Sequence, residues 1–314
     1  MEVFLPIAHM DVDLLLILFF GGIVGFLSGL VGVGGGFLIT PLLIFIGVPP
    51  IVAVATGSAQ IAGTSAGGSY AHWRLGNIDF KIGIVLLVGS WLGGGGGVYV
   101  AELLQHGGQF GNIVTFLYVV LLGLIGTSML IESIRAIRNT GKASRATKES
   151  KAEGDGLGAR LGALVARLPG QMDFPVSGLR TSAIMLLALG AAVGVLTSLM
   201  GVGGGFIMVP VMIYFLKMPT KIVVGTSLFQ LLFTTAAVSI MQAGVNHAVD
   251  PFLALILIFG SAFGTQWGTR MSMRLPAEKL RLILALVVVA VAVKMLVGLL
   301  VTPHEVYEMT RVSV

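Results

Sequence analysis

The chain has no cysteine among its 314 residues, which excludes disulfides, thiolate nucleophiles and cysteine-ligated metals. Charge is nearly as scarce. Asp, Glu, Lys and Arg make up 11% of the sequence and hydrophobic residues 56%, with a mean hydropathy of +0.99. A soluble protein of this length needs far more polar surface. Windows of about twenty residues with almost no charge fit helices that cross a bilayer. The amino-terminal stretch lacks the basic residues of a secretion signal and carries Glu2, Asp11 and Asp13 instead, so no cleaved leader is expected. The apolar segments hold no His, Asp and Glu spacing that suits a metal, and no Ser/His/Asp or paired-Asp set that suits hydrolysis. No cofactor and no enzymatic activity are expected.

Glycine is abundant, with 45 residues, about twice the usual share, as where helices pack closely in lipid. The basic residues are concentrated. Nine of the 19 Lys and Arg lie between Arg135 and Arg180. No aromatic residue interleaves with them before Phe174, so the cluster reads as a positive-inside signal and nucleic acid is excluded as a partner.

The hexapeptide Gly-Val-Gly-Gly-Gly-Phe occurs at Gly32–Phe37 and again at Gly201–Phe206, each time with a proline four residues on, Pro41 and Pro210. A six-residue match 169 positions apart marks an internal duplication. Five apolar segments recur in each half. The first set is Leu14–Val31, a short Phe37–Gly47, Pro50–Trp73, Ile82–Leu104 and Ile113–Ile134. The second is Ser182–Met200, a short Phe206–Leu216, Thr220–Gln242, Pro251–Thr269 and Leu282–Val301. Ser58 matches Ser227 at the same offset, with Gln60 and Gln230 close by, and Gly89/Gly93/Gly97 return as Gly260/Gly264/Gly268.

Loop charge sets the orientation. The basic linker, Arg74 with Lys81, and Arg270 with Arg274, Lys279 and Arg281 mark inside loops, whereas Gln105–Asn112 and Gly244–Asp250 carry no Lys or Arg and read as outside. Equivalent loops fall on opposite sides, as five crossings per half would produce. The expected fold is therefore an all-α polytopic membrane protein of about ten transmembrane segments, built as two inverted-topology repeats with glycine-broken short helices. Residues 1–13 are expected as a tail, 14–134 as the first repeat, 135–181 as a basic cytoplasmic linker, 182–301 as the second repeat and 302–314 as a second tail, with both termini outside. Within the linker, Leu157–Leu168 fits either a surface amphipathic helix or a solvated loop. The short segments fit re-entrant half-helices and short crossings equally.

Three glycines in a row disfavour helix by about 1 kcal/mol each. Non-helical backbone at membrane depth survives only where protein covers it or a wet cavity adjoins it. The helix that restarts at Phe37 or Phe206 presents free N–H groups and a positive dipole end, suited to an anion. Neutral hydroxyls and amides on the next segment, Ser58 and Gln60 or Ser227 and Gln230, add donors without a buried cation. The candidate substrate-binding set is Gly34, Gly35, Gly36, Phe37, Ser58 and Gln60 with Gly203, Gly204, Gly205, Phe206, Ser227 and Gln230. The fourth-segment glycine stripes are expected to let backbones touch, and Trp91, Gln266 and Trp267 beside them are weaker candidates for cavity lining. Lys294 is expected either to snorkel or to act as a buried functional lysine.

The stretches Gly29–Phe37 and Ser198–Phe206, each followed by Pro and a Thr/Ser-rich segment, resemble the sulfite exporter TauE/SafE (TSUP) family of membrane permeases over essentially the whole chain except linker and tails. The resemblance implies transport of sulfite or a small organosulfur anion across the bacterial inner membrane, with a coupling ion such as a proton. Partners are then that sulfur-containing anion, the coupling ion and the lipid bilayer; oligomeric state and substrate identity stay open. An anion channel and a non-transporting membrane scaffold are the alternatives.

Overall fold

The computed structural model describes residues 2–31, 36–139, 169–216, 218–272 and 277–300. A hairpin of β1 (Glu2–Leu5) and β2 (Met10–Asp13) leads into α1 (Leu14–Val31), α2 (Gly36–Phe45), α3 (Pro50–Arg74), α4 (Phe80–His106) and α5 (Phe110–Asn139). A second hairpin of β3 (Gln171–Phe174) and β4 (Leu179–Ser182) leads into α6 (Ala183–Met200), α7 (Gly205–Pro210) with a π turn over Val211–Phe215, α8 (Thr220–Val245), α9 (Pro251–Ser272) and α10 (Ala277–Leu300). Helices thus fall where the ten apolar segments were expected. Among the described residues, six helices are long and apolar enough to cross a membrane. The side chains confirm the solvent. Leu92, Leu103, Leu124, Phe263 and Leu300 are each more than 60% exposed, while Thr56, Gln60, Thr226, Gln230 and Gln242 are at most 2% exposed. Apolar residues outside and amides inside suit hydrocarbon, and the chain is a multi-pass membrane protein.

A hairpin occupies residues 2–13, within the stretch expected as a tail, and the stretch expected as linker opens on the last turn of α5 and closes on β3–β4. Pro6 and Pro175 open the two turns, where a fixed φ helps and no N–H is needed. His9 (φ 52°) and Gly178 (φ 65°) supply the left-handed residue of each. Both hairpins pair in the same register, Leu5 with Met10 and Phe174 with Leu179, so the duplication begins at the first strand. Strands of four residues carry too little periodicity to read, and Pro6/Pro175 is the one identity between the twelve-residue hairpins. Leu157–Leu168 lies outside the described residues.

Helix packing is reciprocal between the halves. Helix α1 lies along α9 in the same direction: a Cβ on Gly21 would come 2.9 Å from the Leu257 carbonyl oxygen, and one on Gly25 2.2 Å from that of Ser261. Helix α4 lies along α6 likewise, with Gly89 against Leu187 O (2.2 Å) and Gly93 against Ala191 O (2.0 Å). The fourth-segment stripes therefore serve close backbone approach, as the spacing predicts. Each half lends its first helix to the fourth helix of the other, while α3 pairs with α8 and α5 with α10.

In the π turn Leu216 N reaches the Val211 carbonyl at 3.2 Å. Pro210 before it lacks an N–H, but so does Pro41 inside the regular helix α2, so the proline alone does not make the turn. The turn absorbs a residue: the hexapeptides are 169 apart, but α3 and α8 start 170 apart.

Candidate functional site

Helix α6 ends at Met200, and the chain then runs through Gly201 (φ 67°), Gly203 (φ 73°) and Gly204 (φ 71°) before α7 begins. Three left-handed residues in four explain the glycines conformationally. Space makes the same demand. An added Cβ would come 2.6 Å from Val54 O at Gly201, 2.7 Å from Leu231 Cδ2 at Gly203 and 2.0 Å from Val193 Cγ1 at Gly204. The break is thus buried between α3, α6 and α8, and Gly204, Gly205 and Phe206 are themselves buried.

A broken helix exposes carbonyls at its end. Three of those of α6 have named partners. Gly201 N donates to Thr197 O at 2.7 Å, Gln242 Nε2 donates to Ser198 O at 3.0 Å, and the Tyr118 hydroxyl donates to Met200 O. Tyr118 is fully buried on α5. Thr40 of α2 stands beside the same phenol, with its Oγ1 near Gly201.

The two motif copies meet. The Phe37 and Phe206 rings stack with centroids 4.3 Å apart and planes 15° from parallel. A Cβ on Gly36 would lie 3.5 Å from Val202 O, inside the other copy. Of the first copy, Gly34 and Gly35 lie outside the described residues; α1 stops before them and α2 starts at Gly36.

The polar candidates do not all converge there. Ser58 donates back to Val54 O at 3.0 Å, the usual fate of a helical serine. Ser227 turns to Met212 Sδ at 3.5 Å. Gln230 Nε2 reaches Ser90 Oγ on α4 at 2.8 Å and Thr234 Oγ1 at 3.2 Å, while Ser90 donates to Gly190 O at 3.0 Å. The Oε1 atoms of Gln60 and Gln230 are both buried without a partner. Across α3 and α8 the repeat offset is 170, so Thr56 corresponds to Thr226 and Gln60 to Gln230. The expected Ser58–Ser227 match is therefore out of frame. The reason is the residue added at the π turn.

Other sequence candidates point outward. Trp91 and Trp267 are 44% and 72% exposed; Trp267, with Phe19, Phe26 and Phe263, lines an open apolar groove of about 650 Å³ between α1 and α9, away from the glycine break. Lys294 is exposed, its Nζ 4.2 Å from the Phe45 ring centroid, which favours a snorkelling side chain over a buried one.

Sequence reasoning passed over Tyr118, a lone phenol in an apolar run, and Asp79 and Asp250, which look like loop residues. Asp79 is 1% and Asp250 0% exposed. Each caps its own helix: Asp79 Oδ1 accepts from Ile82 N at 3.2 Å, and Asp250 Oδ1 accepts from Phe252 N and Leu253 N at 3.1 Å. The available signal was the pattern of an acid just before each fourth apolar segment, an N-cap preference.

A family model described as sulfite exporter TauE/SafE matches residues 17–295. Probable membrane transporter protein YunE of Bacillus subtilis (strain 168) is 27% identical over 252 residues, which span 77% of this chain and 82% of the relative. A probable membrane transporter protein of Xylella fastidiosa (strain 9a5c) is 28% identical over 242 residues, 76% of this chain and 77% of the relative. Probable membrane transporter protein YjnA of Bacillus subtilis (strain 168) is 26% identical over 249 residues, 78% of this chain and 85% of the relative. No solved structure matches.

Proposed function

The chain belongs to the sulfite exporter TauE/SafE family of membrane transporters, and on that premise we propose that it is a secondary carrier of sulfite or a small organosulfur anion. The carrier works by alternating access around the place where the two glycine motifs meet. The observation that carries this reading is the Phe37–Phe206 stack, which brings the ends of both broken helices to one point. Backbone N–H groups of Gly34–Phe37 and Gly203–Phe206 hold the oxyanion, since helix starts supply donors and positive dipole without a desolvated cation. The Gln60 and Gln230 amides, whose Oε1 atoms are buried without a partner, line the path, and the Ser58 and Ser227 hydroxyls join them only on leaving Val54 O and Met212 Sδ. Val193, Leu231 and Ile61, which press on Gly203 and Gly204, must give way for the anion to enter.

The directions of the helices support the inverted-repeat reading. Hairpin β1–β2 contacts the start of α9, and hairpin β3–β4 contacts the start of α4. With α1 parallel to α9 and α4 parallel to α6, the element directions fit five alternating passages in each half, the short α2 and α7 included. The two halves then start on opposite faces. Loop charge supports a cytoplasmic linker and external termini in a bacterial inner membrane.

Purified protein in liposomes should take up sulfite, or a sulfonate such as sulfoacetate, with saturable kinetics. Gly204→Ala, the smallest side chain that can be added there, should transport nothing even when the amount of folded protein in the liposomes is matched to the parent. Normal transport by that variant would remove the glycine break from the site, and large conductance without saturation would make the protein a channel instead.

A further inference from the structure

The two buried aspartates form a matched pair of cross-links between the halves. Asp79 Oδ2 accepts from Ser177 N at 3.2 Å and from the Ser177 hydroxyl, both in the β3–β4 turn. Asp250 Oδ2 accepts from Ile7 N at 3.1 Å, in the β1–β2 turn. The Asp79 backbone N–H donates to Thr226 Oγ1 on α8 at 3.0 Å, and the Asp250 N–H donates to Thr56 Oγ1 on α3 at 3.1 Å. In both, Oδ1 caps the residue's own fourth helix while Oδ2 and the backbone amide hold the hairpin and third helix of the opposite half. Nothing in the transport site uses either residue.

We infer that Asp79 and Asp250 are the two gate latches of the carrier, each fastening one face by tying the opposite half's hairpin to its own fourth helix. The inference rests on the alternating-access reading above. In such a cycle a contact between the halves on one face must loosen while its counterpart holds. A carboxylate suits that task better than an apolar contact. Closed, it is satisfied by three donors on two elements; open, water solvates the charge it releases, so the open state is not penalised by an orphaned buried group. The Oδ1 caps keep α4 and α9 formed throughout.

The test separates cap from latch. Asn retains a cap-competent Oδ1 but turns an NH2 toward the hairpin donors. The natural absence of cysteine lets a single thiol report each face: Ala8→Cys (7% exposed) beside the first latch contact and Thr181→Cys (3% exposed) in the second hairpin. In detergent-purified full chain, Asp250→Asn should speed maleimide labelling of Ala8→Cys about tenfold, the worth of one charge-assisted bond, and leave Thr181→Cys unchanged. Asp79→Asn should do the reverse. Equal acceleration of both reporters would mean general loosening and would overturn the inference, as would acceleration of neither. Where an Asn variant does not accumulate, Ser177→Ala and Thr56→Val should give smaller rises on the same faces, and their silence is equally fatal. Labelling needs no substrate. Face-selective labelling without anion transport would sink the carrier reading alone, and transport with face-blind labelling would sink the latches alone.

Discussion

Tyr118 donates its hydroxyl to the carbonyl of Met200, the last residue of the helix that the second glycine motif interrupts. The bond joins α5 to the end of α6 across 82 residues of sequence. Tyr118→Phe keeps the ring and removes the donor, leaving a buried helix-end carbonyl without that partner. The expected loss is about 1–3 kcal/mol, read as a lower melting temperature in detergent with the helical circular dichroism signal unchanged.

The stacked Phe37 and Phe206 rings should be energetically coupled. Single leucine substitutions at each position should destabilise the protein, and the double variant should cost less than the two singles combined by about 0.5–1.5 kcal/mol, the worth of an aromatic pair. Strict additivity in that cycle would mean that the two motif copies do not meet in the folded protein.

Gly204 faces two independent objections to a side chain, a left-handed backbone and the Val193 methyl. Gly204→Ala should cost about 1–3 kcal/mol from strain alone and more from the clash. Gly76, also left-handed but with open space around it, is the control: Gly76→Ala should show only the smaller strain cost.

Gly93 and Gly264 hold backbones together across the α4–α6 and α1–α9 pairs. Because the obstacle is a carbonyl rather than a flexible side chain, Gly93→Leu or Gly264→Leu should prevent accumulation of folded protein, measured as loss of the monodisperse peak in size-exclusion chromatography. Gly96→Leu, on the same helix with nothing within 4 Å, should be tolerated.

The segments were legible because long apolar runs write their own boundaries: Leu14–Val31 falls where its composition changes. The glycine break was legible because the glycine run came twice in one hexapeptide; glycines alone would not have sufficed, since α4 stays helical through Gly93–Gly97, where close packing on α6 holds it. The hairpins were not, since four-residue strands carry almost no pattern. The frame shift between Ser58 and Ser227 was hidden because an identical hexapeptide upstream fixed the offset before the π turn changed it. The partners of Gln230 and Asp79 lie 140 and 147 residues away, a distance over which one sequence carries no pairing signal.

The exchange of helices between the halves, α1 to α9 and α4 to α6, means that neither half is a self-sufficient domain. Cutting the chain within the stretch joining α5 to β3 should leave two fragments that survive only when made together. A half-length forebear, before the duplication, would have had to pair with a second copy of itself to cover the same faces. In the present chain one peptide connection makes that pairing permanent, and the halves differ where Tyr118 of α5 has no tyrosine counterpart in α10.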